Sequence, residues 1–439
     1  MTIYRPLERL RDIYNEYPRQ FWTLVLGTFI DHVGGALMFP FFTLYVTRRF
    51  GASMTEVGVI FGLYSIASVV GSMFGGALTD RLGRKGMLIF GLIASALTSL
   101  IMGLVGSIEL FFVGALGVGL FASAGGPAQQ AMVADLLPEE QRAQGFGILR
   151  VVLNLAVTIG PAIGGLLAAR SYLILFIGDA VASLITAGIV ALAIRETKPA
   201  HREGEPEQTV AQTFGGYWTV LRDGAFVLFL GACTLMILVY VQMNSTLAVY
   251  LRDSHAVPEQ GFGYILSLNA AMVVLFQFSI TRWIARYRPL AMMAVGTLLY
   301  AVGFGMYGLV SAYSYFLVAM VIITIGEMMV SPTSQALAAQ FAPEDMRGRY
   351  MAVFGFSWVI PMAVGPLLAG MIMDNGDPRW VWHAAGLVGL VAAGAFALLQ
   401  RRVGRSTEQA ALENGGAASV QRERVQSRAT EAYGQPREG

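Results

Sequence analysis

The chain consists largely of long apolar runs separated by short polar segments. A helix needs about 20 apolar residues to cross the hydrocarbon core of a bilayer. These runs do not alternate polar and apolar residues as the strands of a membrane β-barrel do. The pattern therefore predicts an all-α polytopic membrane protein with 12 transmembrane helices. The runs, each longer than 20 residues, lie near 21–46, 56–79, 86–106, 109–134, 144–169, 171–194, 225–251, 259–283, 288–309, 312–340, 346–374 and 378–401.

The apolar runs divide into two sets of six. We expect an N-terminal six-helix bundle at residues 1–194, a cytoplasmic linker at 195–224 and a C-terminal six-helix bundle at 225–401. Residues 402–439 are polar and low in bulky apolar side chains, which predicts a disordered cytoplasmic tail.

The two halves share an internal repeat. The sequence GGPAQQAMVADLLPEEQR at 125–142 aligns with VSPTSQALAAQFAPEDMR at 330–347, an offset of 205 residues. The same offset places GPAIGG at 160–165 over GPLLAG at 365–370. Proline, glutamate and arginine recur at matching positions, so two similar apolar compositions do not explain the match. Repeated halves are typical of transporters that rock around a site near the membrane midplane.

The composition agrees with a membrane protein and excludes several kinds of site. The chain is 55% hydrophobic and 13% charged, whereas soluble proteins carry about 25% charged residues. The single cysteine excludes an intramolecular disulfide and a cysteine metal cluster. The four histidines show no metal-ligand spacing. We therefore expect no cofactor or metal and no nucleic-acid partner.

Lysine and arginine predict the orientation in the membrane. Most of the 30 basic residues fall in the termini and in the loops on the same side. The positive-inside rule then places both termini in the cytoplasm. No small-residue cleavage site follows the first apolar run, so we expect a retained first span in the inner membrane. The chain has no GxxxxGK[ST] loop, which disfavours transport driven by ATP.

The loop after the second span reads GGALTDRLGRKG over residues 75–86. It resembles the signature loop of the major facilitator superfamily. The matching residues are Gly76, Asp80, Arg81, Gly83, Arg84 and Lys85.

Physical roles for this loop follow from its residue types. Gly76 permits close approach of another helix, and Gly83 permits a tight turn. Asp80 lies at the unfavourable end of its own helix dipole and needs an external partner. The resemblance implies that this partner is the start of the eleventh span near Arg347 together with Arg142, forming a conformational latch. The alternative is a basic loop that serves orientation only.

The fifth span contains NLAVTIGPAIGG, which resembles the motif of the antiporter branch of this superfamily. Its residues are Gly160, Pro161, Gly164 and Gly165. Proline bends a helix, and the glycines allow close packing, so the motif predicts either a seal against leak or only a kinked packing helix. That branch commonly carries an arginine in the fourth span, where this chain has Ala115. Arg150 on the fifth span either replaces it or lies at the headgroup level.

Three carboxylates fall well inside predicted spans: Asp31, Asp179 and Glu327. The resemblance implies that the first and tenth spans line a central cavity, so we expect Asp31 and Glu327 to be proton-coupling residues. The alternative for both is a neutral acid that donates a hydrogen bond to a neighbouring helix. Ala122 lies at the position that the repeat equates with Glu327, so the shared scaffold does not require an acid there. For Asp179 we expect a structural role.

The sequence suggests a cavity and a substrate class. Gln242, Asn244, Asn269 and Met328 are the candidate substrate contacts. The tenth-span Gly-Glu followed by proline, with the fifth-span motif, resembles the bacterial multidrug efflux antiporters. This resemblance implies a monomeric exporter of lipophilic, cationic small molecules. A lipid, sugar or other metabolite transporter of the same fold and a non-transporting membrane sensor remain the alternatives. No nucleophile–base pair is evident, so we do not expect an enzyme.

Overall fold

The computed structural model describes residues 14–198, 218–343 and 346–402, without the side chains of Asp80, Glu140, Ala143, Arg347 and Gly348. The predicted tail beyond Arg402 and residues 199–217 of the predicted linker lie outside this description. The long helices are α1 (Arg19–Phe50), α2 (Met54–Leu82), α3 (Arg84–Leu104), α4 (Ile108–Leu136), α5 (Glu139–Ala168), α6 (Tyr172–Ala193), α7 (Gly224–Ser245), α8 (Glu259–Ile284), α9 (Pro289–Tyr307), α10 (Tyr313–Phe341), α11 (Arg347–Asn375) and α12 (Arg379–Arg402).

The twelve predicted spans are confirmed. Each of these helices contains a segment long and apolar enough to cross a membrane. Large apolar side chains such as Met73, Leu192 and Phe278 are exposed on their outer faces. An apolar surface of this extent is unfavourable in water and suits contact with lipid. The helices therefore form a 12-helix membrane fold, as the periodicity indicated.

Side-chain caps fix where several helices begin. Ser53 Oγ accepts from the Glu56 amide at 3.2 Å, while the Glu56 carboxylate accepts from the Ser53 amide at 2.8 Å, forming a capping box at the start of α2. At the start of α7, Asp223 Oδ1 accepts from the amides of Ala225 and Phe226, both at 3.1 Å. These side chains satisfy amides that the first helical turn leaves unpaired.

Two spans of the N-terminal bundle are interrupted along their length. In α1, residues Phe39–Phe41 form a 3₁₀ turn around Pro40, where proline cannot donate to the helix. In α4, residues Val118–Ala122 form a π-helical turn. Turns of the π type are frequent at functional sites. The periodicity of the sequence predicted neither interruption, because both segments remain continuously apolar.

Glycine allows α2 and α4 to approach each other closely. A Cβ atom at Gly71 would lie 2.1 Å from the Leu120 carbonyl oxygen, and one at Gly75 would lie 2.2 Å from that of Ala124. At Gly76 the nearest atom is Pro127 Cβ at 3.8 Å, which is ordinary contact. The expectation that Gly76 provides the close approach is therefore wrong. The preceding glycine faces α4 instead.

The turn between α2 and α3 is clamped by the segment that follows α6. Gly83 has φ of 102°, a conformation that side chains rarely adopt. Glu196 accepts from the backbone amides of Arg84 and Lys85 at 2.9 and 3.2 Å. Partial burial raises the pKa of Glu196, but these and two further amide hydrogen bonds outweigh it, so the pKa lies below its ordinary value.

A side-chain contact of this loop also holds it to α4. Arg84 Nε donates to Asp135 Oδ2 at 3.1 Å. Arg142 Nε donates to the carbonyl of Ala134 at 2.9 Å, near the end of α4. Arg142 thus contacts backbone carbonyls that the helix end leaves free. The predicted pairing of Asp80 with the start of α11 falls on side chains outside the description and stays a prediction.

The two bundles are joined at the end of the molecule away from residues 14 and 402. Asp374, at the end of α11, accepts hydrogen bonds from the first amides of α2, those of Met54 at 3.0 Å and Thr55 at 2.7 Å. The Thr55 hydroxyl donates to the same carboxylate at 2.6 Å. A carboxylate at a helix N-terminus also interacts favourably with the helix dipole. Asp374 therefore caps a helix of the other bundle.

A second set of contacts joins α1 and α5–α6 to the C-terminal bundle at the same end. Glu259 accepts from Arg48 and from the Tyr172 hydroxyl, the latter at 3.2 Å. Gly165 and Gly263 lie so close that a Cβ on the former would be 3.0 Å from the Cα of the latter. The hydrogen bonds between described residues of the two bundles all lie at this end, which we call the clasp end.

We expect Gly83→Ala to lower the free energy of unfolding by about 1–3 kcal/mol. Alanine is strained at φ of 102°, and its Cβ would lie 2.5 Å from the Glu196 carboxylate. Thermal unfolding of the purified protein in detergent measures the change. Gly86→Ala is the matched control, since a Cβ there meets nothing within 4 Å. Equal shifts in both variants would contradict the assignment.

We expect Asp374→Asn to loosen the clasp end, because the capping hydrogen bonds lose their charged acceptor. A hydrogen bond to a charged group contributes about 1.5–3 kcal/mol, so the closed state should lose roughly tenfold in population. Pulsed electron paramagnetic resonance measures this opening as a change in the distance between two spin labels. The labels are attached at Arg49→Cys and Trp380→Cys, with Cys233 replaced by alanine. Asp377→Asn is the control, since Asp377 accepts from the Arg379 amide of its own bundle. An unchanged distance distribution in Asp374→Asn would refute the capping role.

Candidate functional site

A cavity of about 1060 Å³ lies between the two bundles. Residues from α1 to α11 line it, and it extends from the clasp end toward the end that holds residues 14 and 402. Its wall is mostly apolar, with a small number of polar groups. A cavity of this size and character is typical of a site for a small organic molecule. Its charged residues are Asp31, His32, Arg150, Asp179 and Glu327.

Two of these charges, Asp31 and Glu327, lie at similar distances from the same end of the molecule. Asp31 is 12 residues from the start of α1, and Glu327 is 14 from the end of α10. At 1.5 Å per residue these positions are about 18 and 21 Å from that end. Arg150 lies nearer to that end, because α5 packs on α1 with Gly145 against Phe21 and Gly160 against Ala36. This register places Arg150 level with Leu26, about 7.5 Å along α1 from Asp31.

Glu327 is held by two side chains from neighbouring helices. The Tyr240 hydroxyl of α7 donates to Oε1 at 2.8 Å, and Asn269 Nδ2 of α8 donates to Oε2 at 2.7 Å. Asn269 is itself within 3.0 Å of the Thr324 hydroxyl. Each carboxylate oxygen thus has a donor, which fixes the orientation of the carboxyl group toward the cavity.

Aromatic rings surround this carboxylate. Tyr240 stacks on Tyr300 with ring centroids 5.8 Å apart, and Trp358 meets Tyr240 edge-on at 6.1 Å. All three residues line the cavity. Aromatic faces attract organic cations, so the group combines two means of binding positive charge. This cluster of rings could not be predicted from the sequence, because the three residues come from three distant helices with no common spacing.

Asp31 occupies the opposite wall of the cavity. The Ser183 hydroxyl of α6 donates to Asp31 Oδ1 at 2.7 Å. His32 Nδ1 lies 3.9 Å from Asp31 Oδ2 and 3.0 Å from the Thr28 carbonyl. Since a carbonyl only accepts, Nδ1 donates its hydrogen to Thr28. The position of Asp31 in the cavity agrees with the expectation from the sequence, and its proposed role in coupling stays a prediction.

Asp179 lies at the edge of the same cavity. The structural role expected for Asp179 stays a prediction, although its side chain lines the cavity. A Cβ at Gly34 of α1 would lie 3.2 Å from Asp179 Oδ1, so the absence of a side chain there leaves room for the carboxylate. Asp31 is near enough for the two charges to interact. The N-terminal bundle thus presents two acids where we expected one.

The predicted substrate contacts divide between cavity and interior. Asn244 and Asn269 line the cavity. Gln242 does not, because its amide donates to the Leu238 carbonyl at 3.1 Å and accepts from the Thr246 hydroxyl at 2.7 Å. Met328 is fully buried in the interior of the bundle. The expectation that Gln242 and Met328 contact substrate is therefore wrong for the conformation that the structure shows.

The fifth-span motif packs α5 onto α1. A Cβ at Gly160 would lie 2.4 Å from Ala36 Cβ, and one at Gly164 would lie 2.4 Å from the Leu37 carbonyl. Pro161 lies within α5 and lines the cavity. The motif residues therefore form a tightly packed contact between α5 and α1 beside the cavity. The expectation of close helix packing agrees with these contacts.

Arg150 projects into the cavity from α5 and is half-buried. The sequence left open whether it lies there or at the headgroup level. Ala115, where the resemblance places an arginine, also lines the cavity. The positive charge of this cavity therefore comes from α5.

Among the described side chains, no group of three or more His, Cys, Asp or Glu residues is placed to hold a metal ion. The chemistry available to the cavity is therefore charge, hydrogen bonding and aromatic contact.

Comparisons with known proteins agree with this architecture. The chain is 28% identical over 411 residues to a Planococcus maritimus protein named Na(+), Li(+), K(+)/H(+) antiporter, covering 88% of this chain and 94% of that protein. It is 23% identical over 372 residues to the Shigella flexneri Multidrug resistance protein MdtH, covering 84% and 90%. The structure of a POT family transporter in complex with 5-aminolevulinic acid matches with a TM-score of 0.73 at 17% identity, covering 88% and 97%.

The family model described as Major Facilitator Superfamily matches residues 24–258 and 241–430. These ranges cover nearly the whole chain, including all twelve helices. With twelve spans and a central cavity between two bundles, the chain belongs to the major facilitator superfamily of membrane transporters.

Proposed function

We propose that the protein is a proton-coupled exporter of lipophilic, cationic small molecules that works by alternating access. The observation that carries this proposal is the Glu327 carboxylate in the cavity, held by Tyr240 and Asn269 and flanked by Tyr300 and Trp358. A carboxylate supplies charge for an organic cation, and the rings supply cation–π attraction. The apolar remainder of the wall suits a lipophilic body.

The exchange mechanism follows from the cost of an unpaired charge in the membrane. A carboxylate at the bilayer centre costs about 2.5–3.5 kcal/mol even on the lenient insertion scale. Glu327 is therefore stable when it holds a proton or faces a bound cation. One carboxylate binds either a proton or a cation at a time. Binding of the cation therefore releases the proton, and binding of the proton releases the cation.

Alternating access is supported by the clasp end. Closure there by Asp374 and Glu259 leaves the cavity extending toward the other end, and transport requires these contacts to break. We propose that the loop holding Asp80, with Arg142, serves as the latch of the opposite state. We further propose that the packed fifth-span motif around Pro161 limits the leak of protons or substrate past the clasp end.

We also propose an inner-membrane location with both termini cytoplasmic and a monomeric protein. The basic residues of the loops lie mostly at the end that holds residues 14 and 402, and the positive-inside rule assigns this end to the cytoplasm. The cavity then opens to the cytoplasm, as an exporter requires for loading. Its partners are a small-molecule substrate and the lipid bilayer.

A second candidate function is exchange of alkali cations for protons. The relative named as a Na(+), Li(+), K(+)/H(+) antiporter and the neighbouring carboxylates Asp31 and Asp179 with the Ser183 hydroxyl favour it. Oxygen ligands suit hard cations. Adding Na⁺, Li⁺ or K⁺ to everted vesicles with an imposed pH gradient tests this candidate by the loss of the gradient.

We expect Glu327→Gln to reduce proton-driven ethidium transport at least tenfold. Glutamine keeps the shape and one acceptor oxygen but cannot exchange a proton. Ethidium uptake into everted vesicles with and without a pH gradient measures the effect. Glu109→Gln is the control, because Glu109 is an exposed carboxylate in the first turn of α4. Undiminished gradient-driven transport by Glu327→Gln would overturn the coupling role.

We expect Trp358→Ala to weaken ethidium binding about threefold to tenfold, since a partly exposed cation–π contact contributes roughly 0.5–1 kcal/mol or somewhat more with its apolar contact. Fluorescence anisotropy of ethidium with the purified protein gives the dissociation constant. Trp380→Ala, an exposed tryptophan near the clasp end, should leave the constant unchanged. If Trp358→Ala and the wild type bind ethidium with equal affinity, the Trp358 ring is not part of the binding site.

A further inference from the structure

Arg150 is a cavity charge that the proposed exchange mechanism does not use. It makes no hydrogen bond or ion pair with any described residue. The two acids expected to couple protons already have partners, since Asp31 accepts from Ser183 and Glu327 accepts from Tyr240 and Asn269. An arginine inside a membrane span is costly and is normally paired or functional. The guanidinium of Arg150 is therefore available to a ligand.

Arg150 shares its side of α5 with a hydrogen-bonding group. Asn154 lies one helical turn further along α5 and lines the cavity with it. A side-chain amide donates hydrogen bonds to the oxygens of an anion. This wall of α5 thus offers a positive charge and an amide donor, on the bundle opposite Glu327.

We propose that Arg150 binds the anionic group of the substrate, so that the preferred substrates are organic cations that also carry a carboxylate. The cationic end lies at Glu327 among the aromatic rings, and this part rests on the proposed function. The carboxylate lies at Arg150, whose planar fork of donors matches a carboxylate with two parallel hydrogen bonds. Such a substrate gives each of the two charges a partner and bridges the two bundles.

The alternative role for Arg150 is that of an internal counter-ion, which pairs with Asp31 or Glu327 in another conformation. The two roles make different demands on the substrate. A counter-ion acts on every substrate alike, because it sets the charge of the acids. A substrate site acts only on substrates that carry the anionic group.

Rhodamine B and its ethyl ester provide the test, because they share the cationic ring system and differ in whether the carboxyl group is free. Fluorescence anisotropy with the purified full-length protein gives both dissociation constants without a pH gradient. We expect wild type to bind the free acid at least tenfold more tightly than the ester. Arg150→Gln should remove this preference while leaving ester binding within about twofold. Arg150→Lys should keep part of it, since lysine retains the charge but not the fork.

The controls separate this inference from folding and from the proposed function. Arg170→Gln removes an exposed arginine at the clasp end of α5 and should leave the preference intact. Ester binding by Arg150→Gln also shows that the variant is folded. Equal loss of both dyes, or a wild type without preference for the acid, overturns the inference. Failure of the proposed function would give a different result. The preference for binding the free acid would still depend on Arg150, but a pH gradient would drive transport of neither dye.

Discussion

An ionised side chain in the hydrocarbon must be neutralised, and the architecture of this transporter follows from that constraint. Asp31, Arg150 and Glu327 each lie on a helix that lines the cavity. Twelve apolar helices hold these charges away from lipid, and the cavity gives them access to water and ligand. The hydrogen bonds of Tyr240 and Asn269 orient Glu327 without cancelling its charge. The carboxylate is thereby positioned for binding a proton or a cation.

Much of the fold could be predicted because the bilayer limits it so strongly. The apolar runs gave all twelve spans, and the repeat at an offset of 205 gave the two halves. The resemblance to the family, in which the first and tenth spans line the cavity, implied the positions of Asp31 and Glu327. The ring cluster of Tyr240, Tyr300 and Trp358 could not be predicted, because it depends on how distant helices turn toward one another.

The errors at single residues have the same physical origin. Gln242 is polar and lies in a cavity-lining helix, yet local bonds to Leu238 and Thr246 satisfy it within the bundle. Gly76 and Gly75 are equivalent in sequence, and only the rotation of α2 decides which of them faces α4. The position of Asp179 at the cavity edge could not be predicted, because nothing in its sequence neighbourhood shows that Gly34 leaves space beside it. Helix rotation is therefore the quantity that the sequence did not provide.

The clasp and the cavity are mechanically linked because they share rigid helices. Helix α8 carries Glu259, which contacts Arg48 and Tyr172, and ten residues later Asn269, which donates to Glu327. At 1.5 Å per residue these two positions are about 15 Å apart along one helix axis. Any movement of α8 that alters the Asn269–Glu327 hydrogen bond therefore also shifts Glu259 against its partners in the other bundle. The position of α8 therefore affects both the hydrogen bonding of Glu327 and the contacts that close the clasp end.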